Sequence, residues 1–111
     1  MLTFNLKKQW YEKIRSGEKT IEYREVKPYW TKRLAKEFYT IDDFVCGEKS
    51  GSNFFVPRPR PCILRFGYTK QYLLADIVKI EIVDGKNTDL AIDAPVYAIY
   101  LADVREVKIY D

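Results

Sequence analysis

Histidine is absent from the 111 residues, and cysteine (two), methionine (one) and glycine (five) are scarce. Without imidazole there is no Ser-His or Cys-His nucleophile pair, no imidazole general base and no histidine zinc ligand. Cys46 and Cys62 are too few for a disulfide scaffold and lack the spacing of a metal knuckle, so both are expected as reduced thiols. Neither a metal nor a cofactor is implied, and any chemistry falls to Lys, carboxylates, Tyr, Ser, Thr or Cys. Nowhere do about 18 apolar residues run together, and Met1-Leu2-Thr3-Phe4-Asn5-Leu6-Lys7-Lys8 has no apolar stretch of signal-peptide length. A soluble, cytoplasmic protein with no membrane partner is expected.

What is present is the composition of an ordinary globular chain, 47% apolar and 32% charged. A single domain over residues 1–111 is expected, able to bury roughly two thirds of its unfolded surface. The net charge of +3 hides a segregation. Residues 1–40 hold ten Lys or Arg against five Glu, and residues 57–70 hold four basic residues and no acid. The segments 41–56 and 71–111 are acidic, with net charges of −2 and −4. A clustered positive field suits a polyanion, because phosphate contacts release counterions and supply sequence-independent affinity. The same charges also serve solubility.

Hydrophobic periodicity predicts a strand over residues 2–6, where Leu2, Phe4 and Leu6 alternate. A helix follows over 7–16 with Leu6, Trp10 and Ile14 on one face, Lys13 and Arg15 in its last turn and Gly17 as its cap. Residues 20–26 read as a strand with Thr20, Glu22, Arg24 and Val26 on one side. Pro28 opens a second helix to about residue 38, burying Trp30, Leu34 and Phe38. An irregular loop is expected over about 40–61, with Gly47, Gly51 and alternating Pro and Arg over 57–61. The β-rich runs are 62–66, 73–83, 96–101 and, more weakly, 104–110, with a turn at Gly85-Lys86-Asn87. The order predicts an α+β fold, a small β-barrel with two helices packed against it.

Four places carry candidate function. In Gly17-Glu18-Lys19-Thr20-Ile21-Glu22-Tyr23-Arg24, Lys19 stands at the mouth of the strand, and Glu22 and Arg24 share a face about 7 Å apart. A cation, a carboxylate and a guanidinium on one rigid element can clamp a phosphate and read a base edge. On the second helix Tyr29, Lys32, Arg33 and Lys36 share an arc, a ring among cations that would let a base stack while phosphates are neutralised. Arg58 and Arg60 project from a stiff proline-rich run, and Tyr68 follows Gly67 at the end of a strand. The expected partner is RNA or a nucleoside. An enzyme using Lys19 with Thr20 or Glu22, or a protein-interaction module using the Pro-Arg run, is left open, as is the oligomeric state.

The run from Gly17 to Arg24 resembles the GxKxxExR signature of the ASCH domain family, within the PUA-like superfamily. The Trp-containing first helix, Lys27-Pro28-Tyr29-Trp30-Thr31-Lys32-Arg33-Leu34 and Phe66-Gly67-Tyr68 are similar to small single-domain bacterial and phage members. The resemblance covers the chain except residues 41–61. It implies a PUA-like barrel whose motif lines a cleft for a nucleic acid or modified nucleoside. Some such relatives are amidohydrolases of acetylated cytidine that use a Lys, a Thr and a Glu, and others are described as ribonucleases. Lys19 falls on the amidohydrolase Lys, Glu22 stands where its nucleophilic Thr would be, and no residue aligns with its Glu.

Overall fold

A computed structural model describes residues 1–37 and 53–107, with the side chains of 53–58 left aside. The expectations for Phe38, Cys46, loop residues 40–52, the Arg58 side chain and strand residues 108–110 lie outside what it describes. Among the described residues five strands and two α-helices follow one another, with a 3-10 turn at Gly85–Asn87 between the last two strands: β1 (Leu2–Leu6), α1 (Lys8–Ser16), β2 (Ile21–Glu25), α2 (Pro28–Glu37), β3 (Asn53–Phe66), β4 (Tyr72–Asp84) and β5 (Pro95–Val107). The five strands form one sheet in the order β1-β3-β4-β5-β2, parallel between β1 and β3 and antiparallel elsewhere. This is the α+β arrangement expected, and the sheet curls into a half-barrel. The barrel does not close by a ladder, because β1 and β2 are both edge strands.

The alternation in β1 buries Leu2, Phe4 and Leu6 and exposes Thr3 and Asn5. In β4 the buried set shifts phase, from Leu73, Ala75 and Ile77 to Ile80 and Ile82. The pairing slips between Ile77 and Lys79, so Val78 is an extra residue that resets which side faces the core. A second slip lies near Asp103 of β5, whose φ of 52° is a left-handed conformation that Asp tolerates. The expected strands 96–101 and 104–110 are thus joined through this bulge, at least to Val107. The Pro-Arg run belongs to β3 and not to a loop. Its prolines donate no ladder bond, and the pairing with β4 is irregular between Phe55 and Arg60.

The core fills the concave side of the sheet: Phe4, Leu64, Leu73, Ile77, Ile80 and Ile99 are fully buried. Each such side chain is worth roughly 1.5–3 kcal/mol against leaving it in water. From α1, Tyr11 and Ile14 enter the core, and from α2, Leu34. Tyr11 meets Phe66 edge-on, and Trp30 stacks on Phe4 at 5.2 Å between ring centres. Trp10 and Trp30 are largely buried without being enclosed, Trp30 packed against the core. Both stand at its border, where β1 and β2 face each other. Cys62 is fully buried, and that burial, with Asp76 nearby, pushes its thiol up to about 12. Among the described residues no helix is long and apolar enough to cross a membrane.

Candidate functional site

The turn that ends α1 aims the first residue of the site. Gly17 takes φ 86°, a left-handed conformation that glycine adopts without a Cβ penalty, and its N–H donates to the Ile14 carbonyl. The Lys19 N–H then donates to the Lys13 carbonyl, which folds the chain back beneath α1 before β2 begins. Lys19 is therefore carried against Trp10, 5.1 Å from the ring centre, with Tyr23 at 5.0 Å. Its ammonium ion-pairs with Glu22 at 3.6 Å and with Asp89, and only 8% of the side chain is exposed. Two aromatic faces and two carboxylates thus surround one cation.

Glu22 and Arg24, alternate residues of β2, point into the half-barrel as a shared face requires. Glu22 is 7% exposed. Its Oε1 accepts the Tyr23 N–H at 3.1 Å and its Oε2 accepts Arg24 Nη2 at 2.7 Å. The same Nη2 donates across to the Asn5 carbonyl of β1 at 3.1 Å. Where a strand ladder is missing, a guanidinium spans the gap. It lies over Trp30 at 4.9 Å and over Phe4 at 5.3 Å, and its Nε is buried without a hydrogen-bond partner. An orphaned buried donor costs about 1–3 kcal/mol, held here by the bonds Nη2 makes on either side.

These groups line a cavity of about 330 Å³ in the open seam between β1 and β2, with Trp10 and Trp30 in its wall and Lys7 and Lys27 at its edge. Lys19, Glu22 and Arg24, selected from sequence, thus converge in one place. Thr20 does not line it. That residue is exposed, its carbonyl accepts the Leu101 N–H, and it lines a neighbouring depression of about 270 Å³. Burial, then Asp89 and Glu81, raise the Tyr23 phenol above its ordinary value.

The remaining candidates lie elsewhere. Tyr29 is exposed on α2 with the Arg33 guanidinium 3.4 Å from its ring centre, and Arg33 Nη1 donates to the Tyr29 carbonyl. Lys32 and Lys36 are exposed on the same helix. None of these four lines the cavity; α2 contributes Trp30 instead. Arg60 is exposed on β3, and Tyr68 is 95% exposed in the β3–β4 turn.

Sequence reasoning missed Asp89, which comes from the connection between β4 and β5, 70 residues from Lys19. Nothing local marks it, since a carboxylate in a turn is ordinary. The connection holds its shape through its own bonds, from the Gly85 N–H to the Ala94 carbonyl and from the Ile92 N–H to the Gly85 carbonyl. Among the described residues no group of three or more carboxylates or thiols could hold a metal ion. Compared with protein-family models, with curated proteins and with solved structures, the chain gives no match.

Proposed function

We propose that this chain is an ASCH-like domain of the PUA-like type that binds RNA or a nucleoside, modified or not, in the seam cavity. The observation that carries the reading is the convergence of Lys19, Glu22 and Arg24 in a cavity walled by two tryptophans. Its volume is at the lower end of the range for small-molecule sites, about 300–1,000 Å³, which suits a single base and not a helix of nucleic acid. Arg24 Nη1 makes no hydrogen bond to the described residues, and the Glu22 oxygens keep lone pairs beyond those they use. An unspent donor and spare acceptor capacity thus stand side by side on the wall of a space of nucleobase size. The α2 arc of Lys32, Arg33 and Lys36 lies outside and would follow a phosphate backbone, as expected of sequence-independent contacts.

The hydrolase alternative is weaker on one point of geometry. Among the described residues no Ser or Thr hydroxyl lines the cavity, and Thr20 stands in the neighbouring depression. The test is calorimetric titration with the four ribonucleosides, acetylated cytidine and a short single-stranded RNA. Arg24→Met should weaken nucleoside binding at least about tenfold, in line with the removal of a charge-assisted hydrogen bond. Replacing Lys32, Arg33 and Lys36 with Gln should weaken RNA alone and flatten its salt slope by about 0.7 for each phosphate no longer neutralised. Failure of wild type to bind any of these, or indifference to Arg24→Met, would remove the reading. Deacetylation of acetylated cytidine, lost in both Lys19→Arg and Thr20→Ala, would replace it with the hydrolase.

A further inference from the structure

The seam cavity and the neighbouring depression meet at Lys19. Trp10, Lys19, Tyr23 and Asp89 belong to both walls, so the partition between the two spaces is the Lys19–Asp89 ion pair flanked by two rings. The two partners differ in freedom. The Lys19 side chain is 8% exposed, whereas Asp89 is 36% exposed and rides on the β4–β5 connection. A change of Asp89 rotamer into water would therefore join the two spaces without moving the backbone. On the outer side the Lys13 ammonium lies 5.3 Å from the Trp10 ring centre, lines the same depression as Lys19, and takes no acceptor among the described residues. One indole thus carries two ammonium groups. Asp89 bonds only one of them, and Glu18 at the rim of the depression bonds neither.

We propose that Lys19 and Lys13 form a phosphate subsite that Asp89 fills in the free protein, and that the ligand of the seam cavity is a nucleotide and not a bare nucleoside. The inference rests on the cavity reading for the base, and on the partition for the phosphate. A phosphate dianion has more charge and more acceptor oxygens than one carboxylate, so it can engage both ammonium groups where Asp89 engages one. Asp89 then acts as a built-in competitor: the cation is kept paired when the site is empty, and an anion must displace a carboxylate held beside it. Neutral ligands meet a divided space, whereas phosphorylated ones open the partition.

The test titrates inorganic phosphate, the four nucleosides and their 5′-monophosphates into wild type, Asp89→Asn and Lys13→Gln, following tryptophan fluorescence and heat. Circular dichroism checks the fold of each variant, and both changes are at sites open to solvent. Wild type should bind a monophosphate about tenfold more tightly than its nucleoside, as one or two charge-assisted bonds allow. Asp89→Asn should raise that ratio about fivefold and strengthen inorganic phosphate, while Lys13→Gln should lower the ratio toward one. Nucleosides that bind with no gain from a phosphate in any of the three proteins would overturn the subsite and leave the cavity reading standing. Phosphate binding strengthened by Asp89→Asn with no nucleoside bound would do the reverse. A ratio unchanged or lowered by Asp89→Asn would show that Asp89 is not a competitor.

Discussion

Glu22 joins three neighbours: its own next amide, a lysine that enters beneath the first helix, and an arginine that crosses to β1. A buried carboxylate with two cations is not by itself a source of stability, because desolvation offsets much of the attraction. Here it fixes where the cations stand. Tyr100 offers a cleaner residue-scale test, since its hydroxyl donates to Glu81 at 2.6 Å on a neighbouring strand. That bond, then burial, pushes the phenol up to about 12. In the unfolded chain a tyrosine ionises near 10. The unfolded state therefore loses its proton first, and stability conferred by the neutral phenol is complete below about pH 10 and falls as pH rises toward 12. In urea melts from pH 8 to 11.5, Tyr100→Phe should flatten that decline. An unchanged slope would mean that other groups cause it.

Among the elements, the turn after α1 decides whether Lys19 reaches the cavity. At Gly17 a Cβ would meet no atom within 4 Å, so the cost of Gly17→Ala lies wholly in the left-handed backbone and should be about 1 kcal/mol in denaturant melts. Gly85→Ala should cost more, because there a Cβ would come within 2.7 Å of the Ala94 carbonyl oxygen. Equal costs at the two sites would show that this crowding is relieved freely. The turn at Gly17 was legible in the sequence, as were both helices, β1, β2 and the shared face of Glu22 and Arg24, because period and capping are local properties. Which side of α1 enters the core was less so. The expected stripe through Leu6, Trp10 and Ile14 assumed steps of four, whereas the helix buries Tyr11 and Ile14, three apart, and leaves Trp10 at the cavity. The partnership of Lys19 with Asp89 had no local signal, since it depends on how β4 returns to β5. The Pro-Arg run reads as a loop by composition, yet the ladder with β4 resumes at Arg60 and carries it.

For the molecule as a whole, the open seam matters most. A sheet that leaves its two edges facing each other needs something to hold them, and Arg24 with Glu22 supplies it. Glu22→Gln should therefore destabilise the fold by about 3 kcal/mol, the range for removing one partner of a buried ion pair. A loss below about 1 kcal/mol in urea melts would mean that core packing alone sets the curl. The bond from the Tyr23 N–H to Glu22 has one more consequence. Bonds from the Leu101 N–H to the Thr20 carbonyl and from the Val26 N–H to the Pro95 carbonyl fix the phase of the β2–β5 ladder. The amides of Glu22 and Arg24 then face β5, and that of Tyr23 faces the seam. In deuterated solvent the first two exchange only when the ladder breaks, while the third is released whenever one carboxylate swings aside. Adjacent residues of a single strand thus keep different time, and whatever draws Glu22 toward the cavity will quicken the middle one alone.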